Sequence, residues 1–170
     1  MKDPRGDRAA AVIEAATAGE EPEPGDLTLE LEGFLPYRLS VLSNTVSCAI
    51  ADAYSERFGL SIPEWRVMAV LGQFSGISAK QVTERTAMDK VRVSRAVALL
   101  VKKGHIDRRT HPQDRRHSIL RHSAAGHAIY ERIVPLARAY ERKLLETLTV
   151  RERESLDRLL AKLKITADDL

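Results

Sequence analysis

The chain of 170 residues, 44% apolar and 30% charged, is sized for one core, or for a small lobe plus an assembly region, in a folded, helix-rich protein. No apolar run approaches the roughly 20 residues of a membrane span, no signal-peptide stretch opens the chain, and a single cysteine, Cys48, excludes an intrachain disulfide framework, so a cytoplasmic location is expected. Net charge is only +3, yet residues 78–122 hold 12 Lys/Arg against 4 Asp/Glu, a local +8 that leaves the remainder at −5 and marks a polyanion, DNA first, as the expected partner.

Residues 1–30 read as a mobile acidic arm, with Pro4, Pro22 and Pro24 and the cluster Glu20, Glu21, Glu23 and Asp26. A short helix around Ala9–Ala18 is compatible with the sequence, and the arm reads as a solubilising tail. Residues 31–60 change pattern. Leu31, Leu35, Leu39, Leu42, Val46, Ala49 and Ala53 recur at spacings of three and four, the apolar stripe of one long helix. Pro36 marks its first turn or a bend, and Phe58-Gly59 its end.

Residues 61–122 contain three short helices with legible starts. Ser61-Ile-Pro-Glu64 and Ser78-Ala-Lys-Gln81 are capping boxes. The first opens a helix whose inner face is Trp65, Met68 and Leu71; the second opens one held mainly by Val82. After the Thr86-Ala-Met turn, Asp89 caps a third helix with Val93, Val97 and Leu100/Val101 inward, and Gly104 stops it. The second and third make a helix-turn-helix. Ile106–Thr110 and Ser118–Arg121 then pair as two strands around the tip Thr110-His-Pro-Gln-Asp-Arg-Arg-His117, forming an arginine-tipped wing.

Residues 123–166 complete the chain. Ser123 opens a long helix with Ile129, Ile133, Leu136, Tyr140, Leu144 and Leu148 inward and Pro135 predicting a kink. Thr149-Val-Arg-Glu152 caps a last helix bearing Leu156, Leu159, Leu160 and Leu163. The stripes at both ends of the chain exceed what a small lobe can cover, so a symmetric partner is expected to bury the surplus. A homodimer also presents two recognition helices about one DNA turn apart. The fold expected is mainly α, a winged helix-turn-helix lobe with a two-stranded β wing, flanked by long N- and C-terminal dimerisation helices.

Within the recognition helix, Lys90, Arg92, Ser94 and Arg95 lie in the first two turns, the end that enters a groove. Arginine can bridge O6 and N7 of guanine, so Arg95 is assigned to a base or adjacent phosphate and the others to supporting contacts. In the wing, the Asp114 carboxylate can hold the Arg116 guanidinium in a fixed fork. Arg115 is placed beside the backbone, and one of Arg108 and Arg109 toward phosphate. His105, His111, His117 and His122 flank or sit in the wing, where imidazole suits phosphate contact. They show no ligand spacing for a metal. With no glycine-rich nucleotide loop and no assembled catalytic group, neither an enzyme nor a cofactor is expected. Cys48, mid-helix with no nearby cation in sequence, is expected to be a buried, inert thiol.

From about Leu31 to Leu163 the sequence resembles the MarR family of transcriptional regulators. The residues that carry the resemblance are Ser94-Arg95, Leu99/Leu100, Lys103-Gly104-His-Ile106-Asp-Arg108, the wing Pro112-Gln-Asp114-Arg-Arg116, and Gly126. It implies a winged-helix homodimer on double-stranded DNA, mostly repressing, with Arg116 in the minor groove and Asp114 as its positioner. It also implies release by a small aromatic effector in a cleft between the dimer region and the lobe. Pro36, Arg38, Leu39, Leu42, Ser43, Val46, Trp65 and Met68 are the candidate lining residues, with Arg38 for a carboxylate or phosphate and Trp65 as an aromatic wall. Leu35-Pro-Tyr-Arg-Leu39 and Ser43-Asn-Thr-Val46 resemble members that control hydroxycinnamate-type catabolism and respond to acyl-CoA thioesters. The alternative is an architectural or constitutive DNA-binding protein without small-molecule control. One departure is His122-Ser123, where the family writes Leu-Thr. Serine keeps the capping role, and His122 is expected to loosen the wing base or to face solvent.

Overall fold

A computed structural model describes residues 28–110 and 118–169. The expectations for the N-terminal arm up to residue 27, and for the wing tip with His111, Pro112, Asp114, Arg115, Arg116 and His117, lie outside those residues. The elements in chain order are α1 (Leu35–Phe58), α2 (Ile62–Gln73), β1 (Ile77–Ser78), α3 (Ala79–Thr86), α4 (Lys90–Lys102), β2 (Ile106–Thr110), β3 (Ser118–His122), α5 (Ala124–Leu145) and α6 (Val150–Asp169). The fold is mainly helical with a small antiparallel sheet, the winged-helix class expected.

The predicted starts are formed as hydrogen bonds. The Ser61 amide and hydroxyl both donate to Glu64 Oε2 at 2.8 Å. Gln81 N donates to Ser78 Oγ at 3.3 Å while Ser78 N donates to Gln81 Oε1 at 2.9 Å. Thr149 N donates to Glu152 Oε2 at 2.7 Å. Each satisfies amides that a helix N-terminus leaves without partners. Gly104, with φ 72°, closes α4 in the left-handed region that side chains avoid. Pro36 falls in the first turn of α1, and α5 runs through Pro135 as one helix.

The sheet has three strands rather than two, in the order β1-β3-β2. Ile106 to Thr110 pair with His122 to Ser118, as the sequence indicated, and Ile77 and Ser78 add a short edge against Leu120 and Ile119. Two residues are too few to show an alternating pattern, which is why β1 escaped the sequence reading.

Of the described residues, 39–110 and 118–142 form one compact unit, and 28–38 with 143–169 form another. The core lies in the first of these. Tyr54, Leu60, Val67, Met68, Leu71, Val82, Val93, Leu100, Ile106, Leu120 and Ile133 are buried in it. Tyr54 comes from α1 and Ile133 from α5, so both long helices supply part of the lobe's core. In the other unit, Arg153 Nη2 donates to Leu145 O at 2.6 Å and braces the corner before α6. No residue of α6 is buried. Among the described residues no helix is long and apolar enough to cross a membrane.

Candidate nucleic-acid interface

The turn between α3 and α4 sets the direction of the recognition helix. Ala87 takes a left-handed conformation, φ 51° and ψ 29°, and Asp89 then caps α4 by accepting from Arg92 N at 2.8 Å. Val93, Ala96, Val97 and Leu100 point into the core. Lys90, Arg92, Ser94 and Arg95 are all exposed, as the sequence predicted. Asp89 Oδ2 also lies 3.5 Å from Arg92 Nε, so one residue both caps the helix and limits the sweep of its first arginine.

The far end of α4 is anchored by an ion pair to a residue that the sequence reading used only as a cap. Lys103 Nζ donates to Glu64 Oε1 at 2.5 Å and to Gly59 O at 2.7 Å. Glu64 is 2% exposed. Burial pushes its carboxyl up, but the Lys103 ammonium and the two Ser61 donors outweigh burial and hold it below the ordinary range. Glu64 and Lys103 therefore fix the α1–α2 corner to the end of the recognition helix.

In the wing strands, Arg108 Nε donates to Ser118 Oγ at 2.9 Å, which aligns its side chain along the hairpin. Arg109 sits 3.9 Å from Asp107. At the wing base Ser123 Oγ accepts from Gly126 N at 3.0 Å and donates to Gly104 O at 2.6 Å, tying the start of α5 to the end of α4. His122 corrects an expectation. It is half-buried, its Nε2 lies 2.9 Å from Met68 O, and its ring centroid is 5.2 Å from that of Tyr130. The imidazole thus replaces an apolar side chain by donating to a carbonyl, and tightens the base it was expected to loosen. Burial pushes its pKa down, with the nearby His127 acting in the same direction and the Met68 carbonyl opposing. His105 is half-buried at the turn before β2, so neither it nor His122 is an exposed phosphate ligand. Among the described residues no group of three His, Cys, Asp or Glu side chains is placed to hold a metal.

The candidate effector residues divide. Leu39, Leu42 and Ser43 are exposed on α1, Val46 is half-buried, and Arg38 falls in the other unit. Met68 is 0% exposed and belongs to the core, so it does not line an open cleft. Trp65 is half-buried between Tyr54 at 5.6 Å and Tyr130 at 6.0 Å, and the Tyr130 ring lies against Gly72. Arg66, missed by the sequence reading, donates from Nη2 to Ser47 Oγ at 3.0 Å. Its position beside Trp65 in the chain was visible; its approach to α1 was not. Cys48 is exposed in the single chain, against the expectation of a buried thiol.

A family model described as the MarR family matches residues 58–117, the span from the end of α1 to the wing. Over that segment, 60 of the 170 residues, the chain is similar to the MarR family. Its relatives include the HTH-type transcriptional regulator BilQ of Clostridium symbiosum, 27% identical over 113 residues, which are 66% of this chain and 78% of that protein. The MarR/EmrR-family transcriptional regulator of Acinetobacter sp. ADP1 superposes with TM-score 0.77 at 28% identity, over 84% of this chain and all of that one (100%). Bordetella bronchiseptica BpsR shares the fold, with TM-score 0.71 and 20% identity over 81% of this chain and 97% of its own. The chain is thus similar to MarR-family transcriptional regulators, and the matched span includes α4 with its exposed face.

Proposed function

We propose that this regulator is a homodimeric repressor of an inverted-repeat operator, and that an aromatic acid or its acyl-CoA thioester releases it. The observation that carries the DNA half is the division of α4 into a buried apolar face and an exposed face bearing Lys90, Arg92, Ser94 and Arg95. In this reading Arg95 reads a base, Lys90, Arg92 and Ser94 support it, and Arg108 meets phosphate. Arg116, held by Asp114, enters the minor groove, with Arg115 beside the backbone. Support for the effector half is the aromatic wall of Trp65 with the Arg66 guanidinium on the same helix, a pairing suited to an aromatic carboxylate. Leu39, Leu42, Ser43 and Val46 supply apolar and hydroxyl contacts. BpsR, which shares the fold, has its DNA binding regulated by 6-hydroxynicotinic acid, a compound of that class.

The test is a thermal-shift screen of hydroxycinnamate-type acids and their CoA esters, followed by gel shift on the gene's own upstream region. Specific binding, with release by a compound that raises the melting temperature, is expected. Arg66→Ala should lose the ligand shift and keep DNA binding, and Arg38→Ala is the comparison for the charge role read from sequence. Operator binding that no compound relieves would favour a constitutive or architectural protein.

A further inference from the structure

Val91 is 58% exposed in the first turn of α4. Neither the core nor the charge pattern accounts for it. Successive helix residues are turned by about 100°. Taking Val93, Ala96, Val97 and Leu100 as the inward direction, Val91, Arg95 and Ala98 fall within about 30° of the opposite direction. Lys90 and Arg92 sit well to either side of that line. The centre of the exposed face therefore begins with an isopropyl group, followed one turn later by Arg95. Valine is not among the stronger helix formers, and the core does not use this one. Isolated exposed valines elsewhere on a surface need no explanation. This one occupies the middle of the surface assigned to DNA, flanked by cations.

We propose that Val91 reads sequence by packing its methyl groups against the C5-methyl of a thymine in the major groove, beside the base pair met by Arg95. Thymine alone among the four bases presents a methyl group there, so an apolar side chain selects it where a hydrogen-bonding one would read O4 or N7 instead. The assignment rests on the reading of α4 as the groove-entering helix. It adds a second, apolar determinant to a site otherwise made of charge.

The experiment begins by selecting a tight-binding duplex from a random library with the full-length protein. Each thymine of that duplex is then replaced singly by deoxyuridine, which removes the methyl and leaves the pairing edge intact. One thymine per half-site should lose about fourfold in affinity, the equivalent of one unburied methyl group. Val91→Ala should bind the parent duplex more weakly and show no further loss at that deoxyuridine. Its melting temperature should not fall, since Val91 lies outside the core and alanine is the better helix former. A methyl penalty that persists undiminished in Val91→Ala, or no thymine showing one, overturns the assignment while leaving α4 as the reading helix. Failure of the library to enrich any sequence would remove the reading on which it rests, and Val91 with it.

Discussion

His122 shows how one side chain can make stability depend on pH without touching DNA. In the folded chain burial disfavours the imidazolium, and the neutral ring donates from Nε2 to the Met68 carbonyl. The folded pKa is therefore below the unfolded value, and the unfolded chain binds more protons in the window between them. Stability from this residue is complete above the unfolded pKa of about 6.5 and declines as pH falls from there toward the folded pKa. His127 and Tyr130 of α5 face the ring, and the Glu131 carboxylate lies 3.4 Å from His127 Nε2. Replacement His122→Leu should flatten the wild-type slope of unfolding free energy between about pH 7 and pH 5, as followed by urea melts at each pH. An unchanged slope would assign the pH dependence elsewhere. The residue was visible in the sequence as a departure from the family that the chain resembles. Its direction was not, because the Met68 carbonyl and the Tyr130 ring that hold it come from elements 54 and 8 positions away in the chain. Glu64 has the same history, since its capping role was local and legible while its Lys103 partner lies 39 residues on.

At the scale of elements, legibility followed the same rule. Helix starts were readable because Ser61, Ser78, Asp89 and Thr149 act within three residues of themselves, and the hydrogen bonds are found there. The edge strand β1 was not readable, and neither was the approach of Gly126 to the His105 carbonyl, where an added Cβ would collide with backbone. The helix-turn-helix corner carries a testable strain. Ala87 adopts a left-handed conformation that costs an L side chain about 1 kcal/mol, so Ala87→Gly should raise stability by about 0.5–1 kcal/mol at unchanged cooperativity in denaturant melts. A loss of stability would mean that the alanine methyl packs usefully. The recognition helix and the wing should separate by their response to sequence and salt. Arg95→Ala is expected to lose more on operator than on scrambled duplex, by about 1–3 kcal/mol of discrimination. Arg116→Ala should weaken both duplexes alike and lower the salt slope by up to about one for each phosphate no longer neutralised by a protomer. Asp114→Ala should act as a milder Arg116 variant, because the arginine remains but is not held. Anisotropy titrations across a salt series would decide, and equal losses on both duplexes for Arg95→Ala would remove the division between a reading helix and a positioning wing.

For the whole molecule, the question is what covers the apolar surface that the single chain leaves open. Leu156, Leu159, Leu160 and Leu163 line one stripe of α6 at 38%, 54%, 46% and 42% exposure, and Leu29, Leu31, Phe34 and Leu35 at the other end of the chain are also exposed. Full burial of one leucine side chain is worth about 1.5–3 kcal/mol, so a four-residue stripe left in water is a substantial cost for a chain of this size. Both stripes were anticipated from the 3–4 spacing, but spacing cannot distinguish an intrachain partner from a second copy. The absence of any buried residue in α6 favours the second copy. Light scattering at micromolar concentration should therefore give about twice 19.0 kDa, near 38 kDa. Leu156→Asp places a charge in the stripe and should return the mass to that of one chain without altering the core of residues 39–142. Because an inverted repeat is gripped through two half-sites at once, the monomer holds only one of them and should bind operator at least tenfold more weakly while its far-UV spectrum stays helical. A wild-type mass near 19 kDa, or a monomeric variant with undiminished operator affinity, would show that the stripes serve something other than dimerisation.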